Sequence, residues 1–144
     1  MPTTSGTDVV ELEIPPGSAY VAIARLVFTA LARGAGLDEE LVEELKSALS
    51  EACTNAVLVH EENSIHEPVI LRWIEEPERL TVEVADRGPT EEDSQASEFD
   101  SQGFSSRMVM SRVLLEAMVD GCEFIPRPGG GTISRLQVLR QPPG

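Results

Sequence analysis

A chain of 144 residues, 41% of them hydrophobic, suits one domain with a sizeable core and argues against a second. The formal net charge of -14 excludes direct nucleic-acid binding, which depends on Lys and Arg neutralising phosphates, and aromatic residues at 4% offer few platforms for stacking bases. No apolar run approaches the ~20 residues that span a bilayer, the start from Met1 to Thr7 is polar, and Cys53 and Cys122 lack metal or redox spacing, so a cytoplasmic protein with reduced thiols is expected.

Val10, Leu12 and Ile14 alternate with Glu11 and Glu13, the period-2 pattern of a half-buried strand, which Pro15-Pro16-Gly17 ends. Ser18 is placed to cap a helix whose apolar positions are Tyr20, Ile23, Ala24, Val27 and Leu31, with Gly34 and Gly36 past its end. Asp38 caps a second helix, with Leu37 and Val42 as a staple and Leu41, Leu45, Ala48, Leu49, Ala52 and Ala56 as one stripe running to about Val59. Strands are predicted at Val69 to Ile74 and Leu80 to Ala85, joined by a charged hairpin loop. Residues 86–100, charged and poor in apolar side chains, read as a mobile loop. A helix from Met108 to Val119 and strands at Gly121 to Ile125 and Thr132 to Leu139 complete the order.

This order predicts an α+β two-layer sandwich, a mainly antiparallel sheet covered on one face by about three helices. It is expected to form one domain over residues 8–140, with disordered tails at 1–7 and 141–144.

Three clusters could carry chemistry. Glu51 and Asn55 are four residues apart and share a helix face, with Asn55 inside the apolar arc. A buried amide without partners costs about 1–3 kcal/mol, so either the protein or a ligand must satisfy it. Asp86-Arg87-Gly88-Pro89 ends a strand and reads either as an ordinary turn or as a carboxylate facing a ligand beside a close backbone approach. Gly129-Gly130-Gly131-Thr132 is a flexible hairpin or a second close approach.

Taken in order, Glu-x-x-x-Asn on a helix, Asp-x-Gly after a strand, a loop, a helix and Gly-Gly-Gly-Thr before a strand resemble the GHKL ATPase superfamily with its histidine-kinase-like, or Bergerat, fold. The run Glu51-Ala52-Cys53-Thr54-Asn55-Ala56-Val57 is similar to that of the bacterial anti-sigma-factor serine/threonine kinases. The resemblance implies an ATP- and Mg²⁺-dependent kinase of the stress-response type. Such a protein sequesters a sigma factor and phosphorylates an anti-anti-sigma (STAS-type) protein, as a homodimer.

On that resemblance Glu51 would be the catalytic base and Asn55 the Mg²⁺ ligand. Asp86 would accept from the adenine amino group beside Gly88, and Thr132 would sit near Asp86 through a hydroxyl or a water. Where the family has a Gly-x-Gly-Leu-type stretch for the phosphates, Gly103 is the glycine that remains. Ser105, Ser106 and Arg107 stand there as phosphate-binding substitutes or as a plain helix cap. Two further readings compete. One is a nucleotide-independent binding module of the same fold; the other is a switch protein within a larger signalling complex.

Overall fold

The computed structural model describes residues 7–89 and 101–140, with residues 101–106 and 108 described as backbone alone. The expected tails, apart from Thr7, and residues 90–100 of the expected loop lie outside the described residues.

The chain runs β1 (Asp8–Ile14), α1 (Ser18–Gly34), α2 (Glu39–Glu62), β2 (Val69–Glu75), β3 (Arg79–Ala85), α3 (Ser101–Met118), β4 (Gly121–Pro126) and β5 (Thr132–Leu139). The five strands form one fully antiparallel sheet in the order β1-β2-β3-β5-β4. This is the expected α+β sandwich.

The inward positions of the strands explain the layer above them. Leu71, Trp73, Leu80, Val82, Val84, Leu136 and Val138 are buried against Phe28 of α1, Leu45, Leu49 and Cys53 of α2 and Leu115 of α3. Trp73 and Phe28 meet with ring centroids 5.8 Å apart and planes tilted by 54°, close to the edge-to-face preference of aromatic pairs.

Three sequence expectations are corrected here. Helix α1 starts at Ser18, with Gly17 in the cap position and no side-chain cap, so Ser18 is not the cap. Its buried face is Val21, Ala24, Phe28 and Ala32, whereas Tyr20 and Ile23 are exposed. Helix α3 begins at Ser101 rather than Met108. The capping of α2 is as read: the Asp38 carboxylate accepts from the Leu41 N–H at 2.9 Å.

The face of the sheet opposite the helices carries one row of charge. Glu11, Arg72, Glu83, Arg135 and Glu123 stand side by side across β1, β2, β3, β5 and β4. Successive pairs approach to 3.7, 3.3, 2.8 and 3.9 Å, so the buried Glu83 lies between two guanidinium groups. Among the described residues no helix is long and apolar enough to cross a membrane.

Candidate functional site

Helix α2 is the spine of the site. Its apolar stripe fixes its rotation on the sheet, which turns Asn55 toward the flank where α3 packs. The Asn55 Nδ2 donates to the Glu51 carboxylate at 3.4 Å and to the Ser111 hydroxyl of α3. A carboxylate accepts only, so the amide nitrogen is the atom that must face it. The amide oxygen accepts no hydrogen bond from the described residues, which leaves it available to a cation. Thus the polar group in the apolar arc is satisfied by its own helix and by α3.

Asp86 continues β3 to the mouth of the same cleft. Its Oδ1 accepts from the Gly88 N–H at 2.8 Å and from the Thr132 N–H at 3.3 Å. Burial pushes its carboxyl above the ordinary range, and these two amides, His60 and Arg127 oppose that push. Thr132 therefore reaches Asp86 through its backbone amide rather than its hydroxyl.

The turn is clasped from two sides. His60, fully buried at the end of α2, accepts the Arg87 N–H on Nε2 at 2.9 Å, which fixes the tautomer that donates from Nδ1 to the Glu67 carbonyl at 3.0 Å. From the β4–β5 hairpin, Arg127 donates to the Asp86 carbonyl at 2.8 Å, while Arg87 donates to the carbonyls of Pro128 and Gly130, each at 2.9 Å.

Two glycines are demanded by these contacts. A Cβ on Gly131, whose φ is +109°, would lie 2.0 Å from the Asp86 carbonyl oxygen. A Cβ on Gly88 would lie 1.9 Å from Cγ1 of Val59. The glycine at 88 thus lets the turn close onto α2.

Asn55, Asp86, Ser111, Arg112, Phe124 and Thr132 line one cavity between α2, α3 and the sheet, which holds about 20 Å³ of free volume. Glu51 faces the other way as well, onto an open groove of about 310 Å³ between α1 and α2, lined also by Arg25, Lys46, Ser47, Ser50 and Thr54. Gly103 lies in the first turn of α3, about 12 Å along the helix axis from Ser111, so α3 does not bring it to Asn55 and Asp86. His60, Ser111, Arg112, Phe124 and Arg127 were not singled out by the sequence. Their signal is tertiary, since their partners lie far away in the chain.

The donor set suits a Mg-nucleotide. Asp86 offers a fixed acceptor for an exocyclic amine, and Asn55 offers a neutral oxygen for a cation that also takes phosphate oxygens. Among the described residues no group of three or more His, Cys, Asp or Glu could hold a metal unaided, so such a cation depends on the phosphates. The free volume is far below the ~300–1,000 Å³ of ligand sites, so the cavity in this form does not admit a whole nucleotide.

The chain is similar to proteins that are already known. Residues 14–136 match the histidine kinase-like ATPase domain family. The serine-protein kinase RsbW of Bacillus pumilus (strain SAFR-032) is 40% identical over 83 residues, 56% of this chain and 51% of that protein. RsbW of Bacillus subtilis (strain 168) is 37% identical over 84 residues, 58% and 52% of the two chains. The chain thus spans about half the length of the curated relatives it matches. In fold it is similar to the RsbU and RsbW domains of Rv1364c from Mycobacterium tuberculosis, with a TM-score of 0.67 at 16% identity over 94% of this chain and 33% of that one. It is also similar in fold to a chain of the SiaB-SiaC complex from Pseudomonas aeruginosa, with a TM-score of 0.58 at 8% identity over 91% and 89%.

Proposed function

The chain belongs to the histidine kinase-like ATPase domain family, and from that premise we propose that it is an ATP-dependent serine/threonine protein kinase acting as an anti-sigma factor in a partner switch. It would sequester a sigma factor and phosphorylate an anti-anti-sigma protein, in the cytoplasm and as a homodimer. The observation that carries the reading is the convergence of Asn55 and Asp86 on one cavity, with Glu51 hydrogen-bonded to Asn55.

Bound ATP would supply the transferable phosphoryl group, with Mg²⁺ neutralising its charge. The chain's own residues do the rest. Asp86, held by the Gly88 and Thr132 amides, orients the base and rejects guanine, which presents a carbonyl where adenine presents an amine. Asn55 positions the metal. Glu51, open to the groove between α1 and α2, receives the proton of a serine hydroxyl arriving from that side. Asn55 also bridges the two halves, so the base and the phosphate end of the site are set by one side chain.

Calorimetric titration of Mg-ATP into the wild type and Asn55→Ala tests the reading. Binding in the wild type that is lost in Asn55→Ala is expected, as is Glu51→Ala that binds ATP but transfers no phosphate. Unchanged affinity in Asn55→Ala would remove the metal assignment. The near-closed cavity favours a second reading, a nucleotide-independent binding module of the same fold, and absence of binding to wild type would select it.

A further inference from the structure

Near its C-terminal end, helix α2 holds the turn that carries Asp86 at two consecutive residues. Val59 packs against Gly88, where a Cβ would fall 1.9 Å from its Cγ1. His60 accepts the Arg87 N–H on Nε2 at 2.9 Å, and the next amide, that of Gly88, donates to the Asp86 carboxylate. Asp86, Arg87 and Gly88 are consecutive, so the bond to the ring in their middle sets how the carboxylate on one side meets the amide on the other. The ring is fixed from behind as well. It is fully buried, its Nδ1 donates to the Glu67 carbonyl at 3.0 Å, and its own carbonyl accepts from the Ile65 N–H at 2.8 Å.

An imidazole accepts on Nε2 only while it is neutral, because the cation donates from both nitrogens. A proton on His60 would set two N–H groups against each other at 2.9 Å, in a place closed to water. The charged groups gathered there come from each element described around the ring. Asp86 and Arg87 follow β3, Glu67 precedes β2 and pairs with Arg87 at 3.7 Å, and Arg127 of the β4–β5 hairpin donates to the Asp86 carbonyl. Glu61 of α2 and His66 are exposed. Among the described residues the Arg87 N–H has no acceptor besides the ring.

We propose that His60 is a positioning residue of the nucleotide site: neutral, it clasps the turn and aims Asp86 at the base, and on taking a proton it lets the turn go. The proposal rests on the nucleotide reading of the cavity and adds a pH dependence to it. The clasped turn needs the neutral ring and the released turn accepts the proton. Affinity is therefore full above the range in which imidazoles titrate, about pH 5–8, and falls as pH drops through it.

Two measurements on the full chain test this. In NMR spectra recorded from about pH 8 to about pH 5.5, the Arg87 and Gly88 amide signals should move with the same midpoint as the His60 ring nitrogens. In calorimetric titration of Mg-ATP at the two ends of that range, the wild type should lose about 3- to 10-fold in affinity relative to His60→Gln, the worth of one hydrogen bond. Glutamine brings an amide oxygen to the position of Nε2 and does not titrate, so it should bind near the wild-type affinity at the higher pH. Comparing the two proteins cancels the titration of the ATP phosphates and of Asp86, which both share. The spectra need no variant and decide the matter if His60→Gln does not fold.

Amide signals that stay still while the ring titrates would overturn the proposal, and so would a ring that stays neutral throughout the range. If Mg-ATP binds and the two proteins share one pH profile, the nucleotide site stands and the assignment of His60 alone falls. If the wild type binds no Mg-ATP at either pH, both fall together.

Discussion

Replacing Gly88 by alanine tests whether the turn after β3 is closed by packing on α2. The new Cβ would lie 1.9 Å from Val59 Cγ1, where carbon atoms rest at about 3.5–4.0 Å, so something must shift by well over an ångström. Overpacking of this kind costs about 1–3 kcal/mol. Val59→Ala alone, at a side chain only 4% exposed, deletes two methyl groups worth about 0.8 kcal/mol each and opens a cavity, for about 2–3 kcal/mol in all.

In the double variant the alanine at 88 fills the space that Cγ1 vacated, although it stays tight against Val59 Cβ and Asp86 Oδ1, both at 3.3 Å. Its destabilisation should therefore fall short of the sum by at least ~1.5 kcal/mol, outside the ~0.5 kcal/mol within which independent sites add. Urea denaturation of the four proteins at one pH measures the cycle. Additivity would refute the packing argument and return Gly88 to an ordinary turn glycine.

Gly131→Ala meets backbone at 2.0 Å with φ at +109°, so it should cost more than about 3 kcal/mol, whereas Gly130→Ala, with open space and φ of +108°, should cost only the conformational ~1–2 kcal/mol; thermal denaturation ranks them. His60→Leu leaves the Arg87 N–H and the Glu67 carbonyl without their buried partner and should cost about 2–5 kcal/mol, and a variant as stable as wild type would show that water replaces the ring. Burial holds Asp86 above the ordinary carboxylate range, so its charged form is less favourable in the folded than in the unfolded chain. The stability this group contributes is present below its ordinary pKa and is lost as pH rises through its raised value. Asp86→Asn should therefore gain stability relative to wild type across that window and show no gain at its acid end, read from unfolding midpoints between about pH 3 and 7. Cys53, whose thiol burial pushes up to about 12, should stay inert to disulfide reagents until the protein unfolds.

What the sequence could show depended on how local each signal was. The cap at Asp38, the stripe of α2 and the strand runs from Val69 and Leu80 each rest on residues a few positions apart, and they came out as read. Of the alternating Val10, Leu12 and Ile14, by contrast, only Ile14 is buried. Helix α1 is apolar on nearly every side, so its period fits two faces equally. The structure buries the one that sets Phe28 against Trp73 and leaves Ile23 and Leu26 outside. The start of α3 holds Gly103 and three serines, weak helix formers whose low propensity gave the sequence no helix signal there. Glu51, Asn55, Asp86, Gly88 and Thr132 were legible because each lies in a short motif. The groups that hold them were not, because His60 reaches 27 residues along the chain, Arg127 reaches 41 and Ser111 reaches 56.

The alternating charges on the uncovered face also bear on how five strands choose their order. The final strand of the chain, β5, is inserted beside β3, and β4 is displaced to the edge. A simple meander, with β4 against β3, would set Glu83 beside Glu123 in the same row, two carboxylates facing each other where one is buried. In the native order every neighbour in the row is of opposite sign. One like-charge pair thus counts against the shortest route through the sheet, whereas the native crossover removes it and brings Thr132 alongside Asp86.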